Sequence, residues 1–191
     1  MLRSRINRAC HEAAAAFTRH GWTLPPDPLW DVTDCGLGRF DEVGLVLVNL
    51  AEEPEYCEKL MFSLNGQVTP IHTHLVKKED IICRSGTIEA VVWGQHPDQS
   101  PVGTTVHLRR NGRTFIAISG KPFRLSAGER FTLDPGTYHS FWAVDGYAII
   151  GEVSTANDDA HDNIFFDPAI GRYPSVEEDV PPVFLLLRDR K

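Results

Sequence analysis

From about residue 38 the chain is a succession of short β-rich runs, and this texture limits what it can fold into more than any other feature. The runs "VGLVLVNL", "EKLMFSL", "VTPIHTHL", "DIICRS", "TIEAVVWG", "TTVHLRR", "FRLSAG", "RFTLD", "YHSFWAV" and "YAIIGEVST" follow one another with no helical pattern between them. They are broken at Asn65-Gly66, Gly86, Asn111-Gly112, Gly128, Pro135-Gly136 and Asp145-Gly146, the spacing of an antiparallel sandwich or barrel. The expected barrel spans residues 38–155.

The flanks differ. Over residues 1–21, Ile6, Ala9, Ala13, Ala16 and Phe17 recur at helical spacing, and Gly21 stands where a left-handed cap ends a helix. This segment is Arg-rich, but it holds Glu12 and lacks Ser enrichment, so it reads as a domain helix packed outside the barrel rather than a transit peptide. "WTLPPDPLW" forbids helix and interior strand through its prolines, making residues 22–37 an extended connector. Residues 156–191 are an acidic, proline-rich tail whose "VFLLL" either adds a strand or lies over an open edge. With 191 residues, 42% of them hydrophobic, the expectation is one all-β domain.

Charge and cysteine usage narrow the function. A net charge of -7 without clustered Lys and Arg argues against nucleic acid and suits a neutral sugar better than a polyanion. Cys10, Cys35, Cys57 and Cys83 form no C-x-x-C pair, which reads as reduced thiols in a cytoplasm. No apolar run approaches the ~20 residues of a membrane span.

Gly66, His72, His74, Glu79 and Gly86 fall at the spacing of the first cupin sequence motif. Period-two alternation sends His72 and His74 to one face of a strand, where two imidazoles can share an ion and Glu79 can add a third ligand. The second cupin motif is resembled by Gly128, Gly136 and His139, with the proline displaced by one to Pro135 and Ala143 in place of the common Asn. A single His on a strand is most often a surface or hydrogen-bonded residue, the reading given to His11, His20, His96, His107 and His161. Four ligand types at both motif spacings instead make a metal site of His72, His74, Glu79 and His139. Three imidazoles and one carboxylate leave open positions on an octahedral ion, favouring Mn²⁺ or Fe²⁺ over Zn²⁺; Mn²⁺ is expected, with other divalent cations compatible.

If Asn65-Gly66 makes a tight hairpin, Lys59 faces His72 and Cys57 faces His74; if Asp145-Gly146 does the same, Glu152 faces His139. Lys59 and Glu152 then form an acid/base pair beside the metal, with Glu79 as a further catalytic carboxylate. The structural alternatives are a Lys59 that snorkels to the mouth and a Glu152 that only orients a ligand histidine. Cys57 reads as pocket lining, and Lys77, Lys78 and Arg84 as solvated rim charges. "NDDAHDN" reads as turns and caps, and Ser175-x-x-Glu178 as a one-turn capping box.

With these residues assembled, the chain resembles the D-lyxose isomerase family of cupins. The likeness is carried by "HGWTLP", "YCEKLMF", "GQVTPIHTHLVKKEDIICRSG", "PGTYHSFWA", "GEVSTANDDAHDNIFF" and "RYPSVEED". It implies a Mn²⁺-dependent aldose-ketose isomerase converting D-lyxose to D-xylulose, usually acting also on D-mannose and D-fructose. Lys59 would sit in the active site, and Asp162, Arg172 and Glu178 would close the pocket or hold sugar hydroxyls. A proton transfer through a cis-enediol and a hydride shift reach the same product. The rivals are a dioxygenase or phosphosugar isomerase of the same fold, and a sugar-binding module without turnover. A homodimer pairing through sheet edges is expected.

Overall fold

The structure, a computed structural model, describes residues 1–155, 158, 161–171 and 175–189. Helix α1 (Arg3–Arg19) buries Ile6, Ala9, Cys10, Ala13, Ala16 and Phe17 along one stripe. That stripe packs on Trp30, Val32, Val46, Val48, Leu60, Phe62 and Ile149, forming an outer core between helix and sheet. Gly21, at φ 79, ends the segment. Among the described residues no helix is long and apolar enough to cross a membrane.

Among the described residues eleven strands follow: β1 (Trp30–Thr33), β2 (Leu45–Glu52), β3 (Tyr56–Ser63), β4 (His72–Thr73), β5 (Glu79–Trp93), β6 (Thr105–Arg110), β7 (Arg113–Ile118), β8 (Phe123–Ser126), β9 (Arg130–Leu133), β10 (Tyr138–Thr155) and β11 (Ile164–Phe165). They pair in the order β1-β2-β3-β10-β5-β9-β6-β7, an open path, with β4 on β10, β11 on β4 and β8 on β5. The architecture is therefore all-β with one helix outside, as the cupin resemblance implies. Period-two alternation separates two cores: Val46, Val48, Leu60 and Phe62 face α1, whereas Leu47 and Met61 face an inner core with Ile81, Ile88, Phe131, Phe141 and Ile150.

Several segments depart from expectation. The connector over 22–37 contains β1, which pairs with β2 from Trp30↔Val48 to Thr33↔Leu45; the prolines end before it. Asn111-Gly112, at φ 52 and 77, makes the hairpin to β7, a strand absent from the sequence reading. One 3-10 turn, Pro97–Gln99, interrupts the strand series. Between its two alternatives the "VFLLL" tail takes the second: Trp30 N donates to Leu185 O at 3.0 Å, and buried Leu186 forms a single bridge beside β1.

The larger correction concerns the turns. Neither Gly86 nor Asp145-Gly146 reverses the chain: β5 and β10 run through them and pair along their lengths, with the register slipping between Val144 and Ile149. Asn65-Gly66 forms a turn, Gln67 N to Leu64 O at 3.0 Å, yet β3 and β4 are not a hairpin. Both lie along β10, as Lys59↔Glu152 and His72↔His139. Residues that tolerate positive φ serve a bulge as readily as a turn.

The three irregularities are neighbours. Gly66 N donates to Ala143 O at 2.8 Å and Gly146 N to Asn65 Oδ1 at 3.2 Å, while a Cβ on Gly86 would lie 2.7 Å from Tyr147 O. Each inverts which residues face inward: Ile81 and Cys83 give way to Ile88 and Ala90, and Phe141 and Ala143 to Ala148 and Ile150.

Gly86 and Gly128 share a left-handed backbone, φ +81 and +91, but nothing lies within 4 Å of a Cβ built on Gly128. Gly128→Ala is expected to cost about 1–2 kcal/mol, and Gly86→Ala about 2–5 kcal/mol because the backbone contact adds to the conformational penalty. Urea unfolding measures both, and equal losses would refute the packed corner at Gly86.

Candidate active site

His72 lies in β4, His74 just beyond it, Glu79 opens β5 and His139 lies near the start of β10. One ligating atom from each falls within 4.8 Å of all the others. The imidazoles are oriented alike. Nδ1 of His72 donates to Pro70 O at 2.8 Å, that of His74 to Asp162 O at 2.8 Å, and that of His139 to Thr137 O at 3.1 Å. A ring nitrogen facing a carbonyl must carry the proton, so each Nε2 presents a lone pair.

This leaves acceptors facing acceptors. The Nε2 atoms of His74 and His139 and Oε1 of Glu79 are buried without a hydrogen-bond partner, and His139 Nε2 stands 3.0 Å from Glu79 Oε1. Such a cluster is costly unless a cation lies among its lone pairs, and the donor set suits a divalent metal. Burial and the neighbouring imidazoles hold His72 well below its ordinary pKa, and burial lowers His74, so both favour the neutral form that ligates. Burial alone would raise Glu79, but the Lys77 ammonium leads the opposing charges that hold it well below the carboxylate range.

Lys59 and Glu152 face each other across β3 and β10, with Nζ 3.3 Å from Oε1, and both line the pocket that holds the four ligand residues. The hairpin pairings expected for them do not occur. They share the ligands' face because each strand irregularity inverts the alternation between the two positions. The pocket, about 560 Å³ of empty space counted out to its mouth, is walled by Leu47, Met61, Ile81, Phe141 and Phe165. Thr33, Cys35, Thr69 and Asn163 add polar groups. Cys57, expected in this lining, is buried but does not contribute to it.

Lys77 is the residue that sequence reasoning missed. It is not a solvated rim charge but 4% exposed, with Nζ 2.9 Å from Glu79 Oε2 and 3.0 Å from Glu152 Oε1. These two carboxylates outweigh the effect of burial and raise its pKa. Its period-two relation to Glu79 was the available signal. Lys78 and Arg84 do reach solvent, beside Asp134 at 2.6 Å and Glu58 at 3.8 Å.

Asp162 turns Lys77 inward. Its carboxylate accepts the backbone N–H groups of Leu75, Val76 and Lys77 at 2.7, 3.1 and 2.9 Å, winding the loop so that Leu75 and Val76 point out. Asp162 is therefore engaged by the protein instead of lining the pocket. Glu178 is also elsewhere: Arg3 grips it at 2.9 and 2.7 Å, and Ser175 opens no helix for it to cap. Arg172 lies outside the described residues, as do Asn157, Asp159 and Ala160 of "NDDAHDN".

Residues 29–190 match the sequence profile described as D-lyxose isomerase. The chain belongs to the D-lyxose isomerase family. It is 37% identical to the D-lyxose/D-mannose isomerase of Escherichia coli O157:H7 over 99% of this chain and 98% of that one. It is also 37% identical to the Serratia proteamaculans D-lyxose/D-mannose isomerase over 84% of this chain and 75% of that protein. Among solved structures it is similar to the L-ribose isomerase of Acinetobacter sp. DL28 in complex with L-ribose, with TM-score 0.70 and 19% identity over 93% and 98% of the two chains. At that identity the likeness concerns the fold alone.

Because the Asp162 carboxylate holds the loop between His74 and Lys77, Asp162→Ala is expected to weaken the binding of a divalent metal by about 10- to 100-fold. Calorimetric titration of the metal-stripped protein measures this. An unchanged Kd would mean that the loop keeps its shape without the carboxylate.

Proposed function

We propose that this chain is an aldose-ketose isomerase interconverting D-lyxose and D-xylulose, and also D-mannose and D-fructose, with Mn²⁺ held by His72, His74, Glu79 and His139. The observation that carries the reading is a buried ammonium and carboxylate, Lys59 and Glu152, 3.3 Å apart beside four metal-ligating side chains. Family membership and the names of the Escherichia and Serratia relatives support it.

By proton transfer, moving a carbonyl from C1 to C2 takes a proton from C2 and delivers one to C1, with another exchanged between the oxygens, through a cis-enediol. Burial would raise Glu152, but Lys59 and Lys77 outweigh it and keep the group a carboxylate, able to accept the carbon-bound proton. The Lys59 ammonium can donate to the sugar oxygens. When bound, the divalent cation supplies Lewis-acid polarisation of those oxygens. Leu47, Met61, Ile81 and Phe141 exclude water while the proton is in transit.

Three imidazoles and one carboxylate favour a six-coordinate ion with open positions, which is the reason for choosing Mn²⁺. The pocket cations Lys59 and Lys77 are matched by Glu152 and Glu79, so a neutral sugar suits the site better than a phosphosugar. The reading includes a cytoplasmic homodimer; β7, which ends the strand path with Ile116 and Ile118 exposed, is the edge that favours pairing.

Metal-stripped protein incubated with D-lyxose is expected to yield D-xylulose only after Mn²⁺ is added; tight sugar binding without ketose would make it a binding module instead. In heavy water, solvent deuterium at C1 supports proton transfer, and its absence favours the hydride shift. Lys59→Met and Glu152→Gln should each lower kcat by about 10²- to 10⁴-fold. Unchanged turnover in either variant removes that residue from the chemistry.

A further inference from the structure

The two oxygens of Glu79 have different surroundings. Oε1 is buried without a hydrogen-bond partner, 3.0 Å from His139 Nε2, whereas Oε2 receives the Lys77 ammonium at 2.9 Å. The same ammonium reaches Glu152 Oε1 at 3.0 Å. One cation thus spans both carboxylates of the pocket.

We infer that Lys77 is a positioning residue that separates the tasks of these carboxylates: it confines Glu79 to ligating the metal through Oε1 alone, and it withholds Glu152 from the metal for proton transfer. The inference rests on the isomerase reading for the task of Glu152, and on geometry alone for the split at Glu79. Two buried carboxylates without a cation between them repel strongly at low dielectric, and a divalent ion nearby would draw both. An ammonium fixed between them removes that competition. Its fixation is built in, because Asp162 clamps the Lys77 backbone N–H at 2.9 Å and the side chain is buried between the two carboxylates. Holding the fold together explains the arrangement poorly, since apolar groups in place of a buried ion pair are often as stable.

The separation has a signature that a structural brace lacks. Removing Lys77 takes away a positive charge beside the metal and releases a carboxylate to bind it. Lys77→Met should therefore bind Mn²⁺ roughly tenfold more tightly, while kcat falls by about 10²-fold or more with KM little changed. In the double variant Lys77→Met/Glu152→Gln the released carboxylate is gone, and the Mn²⁺ Kd should return to within about threefold of wild type. Calorimetry on the metal-stripped proteins, with thermal unfolding followed on the same samples, supplies the readouts.

Weaker Mn²⁺ binding in folded Lys77→Met overturns the inference, and a double variant that stays as tight as the single one overturns its claim on Glu152. Should the single variant fail to fold, the double variant, which removes both charges, carries the measurement, and Mn²⁺ binding more than about tenfold weaker than wild type decides against Lys77. A wild type that binds Mn²⁺ but forms no ketose sinks the isomerase reading and leaves the metal affinities to judge Lys77. A wild type that binds no Mn²⁺ overturns both.

Discussion

The pocket depends on a change of alternation in three adjacent strands. His139 and Glu152 are an odd number of residues apart on β10, and so are Lys59 and His72 along the path of β3 and β4. In uninterrupted strands the members of each pair would point to opposite faces, and a site built inward from the histidines would leave Lys59 and Glu152 outside. The irregularities at Gly66, Gly86 and Gly146 reverse the facing together. Because they are adjacent, the strands bend as a unit, and the apolar interior continues past the corner through Ile88, Ala90, Ala148 and Ile150. One local device thereby serves both the packing of the inner core and the gathering of charge at one end of it.

That gathering is expensive in isolation. Lys59, Lys77, Glu79 and Glu152 are all nearly buried, and each would resist losing its water alone. They are tolerable as a set, because two ammonium groups are interleaved with two carboxylates at 2.9 to 3.3 Å. His72 and His74 add no net charge, since burial favours their neutral forms, and backbone carbonyls accept from Nδ1 of all three imidazoles. What stays uncompensated is the knot of lone pairs among His74, His139 and Glu79. The protein balances its own charges and leaves a deficit of positive charge at one point, the property that distinguishes a metal site from a buried ion-pair network.

Much of this was legible in the sequence wherever a short period governs the outcome. The stripe of α1 from Ile6 to Phe17 followed from helical spacing, and the shared face of His72 and His74 from alternation. Lys59 and Glu152 came to the pocket side for a related reason, although the hairpins invoked for them do not exist: a two-residue reversal and a one-residue bulge both change which parity faces inward. The same logic, run backward from Glu79, would have placed Lys77 inside. Asp162 and Glu178 were misread because their partners, the 75–77 loop and Arg3, are distant in the chain, and no local pattern encodes that Arg3 grips Glu178 or that three backbone N–H groups converge on Asp162.

Asp162 contributes twice to the site: its carbonyl orients His74, and its carboxylate winds the loop that turns Lys77 inward. Three residues on, Phe165 pairs with His72 and walls the pocket, and beyond it Gly171 N donates to Cys35 O at 3.0 Å, tying the segment to the chain just after β1. The ligand side chains therefore come from β4 and the residue just beyond it, β5 and β10, but the orientation of His74 comes from a residue added after β10 is complete. Strand pairing can bring His72, His74, Glu79 and His139 together, yet until residues 162–165 lie against β4 the imidazole of His74 lacks the acceptor that holds its tautomer, and the site is gathered without being aligned.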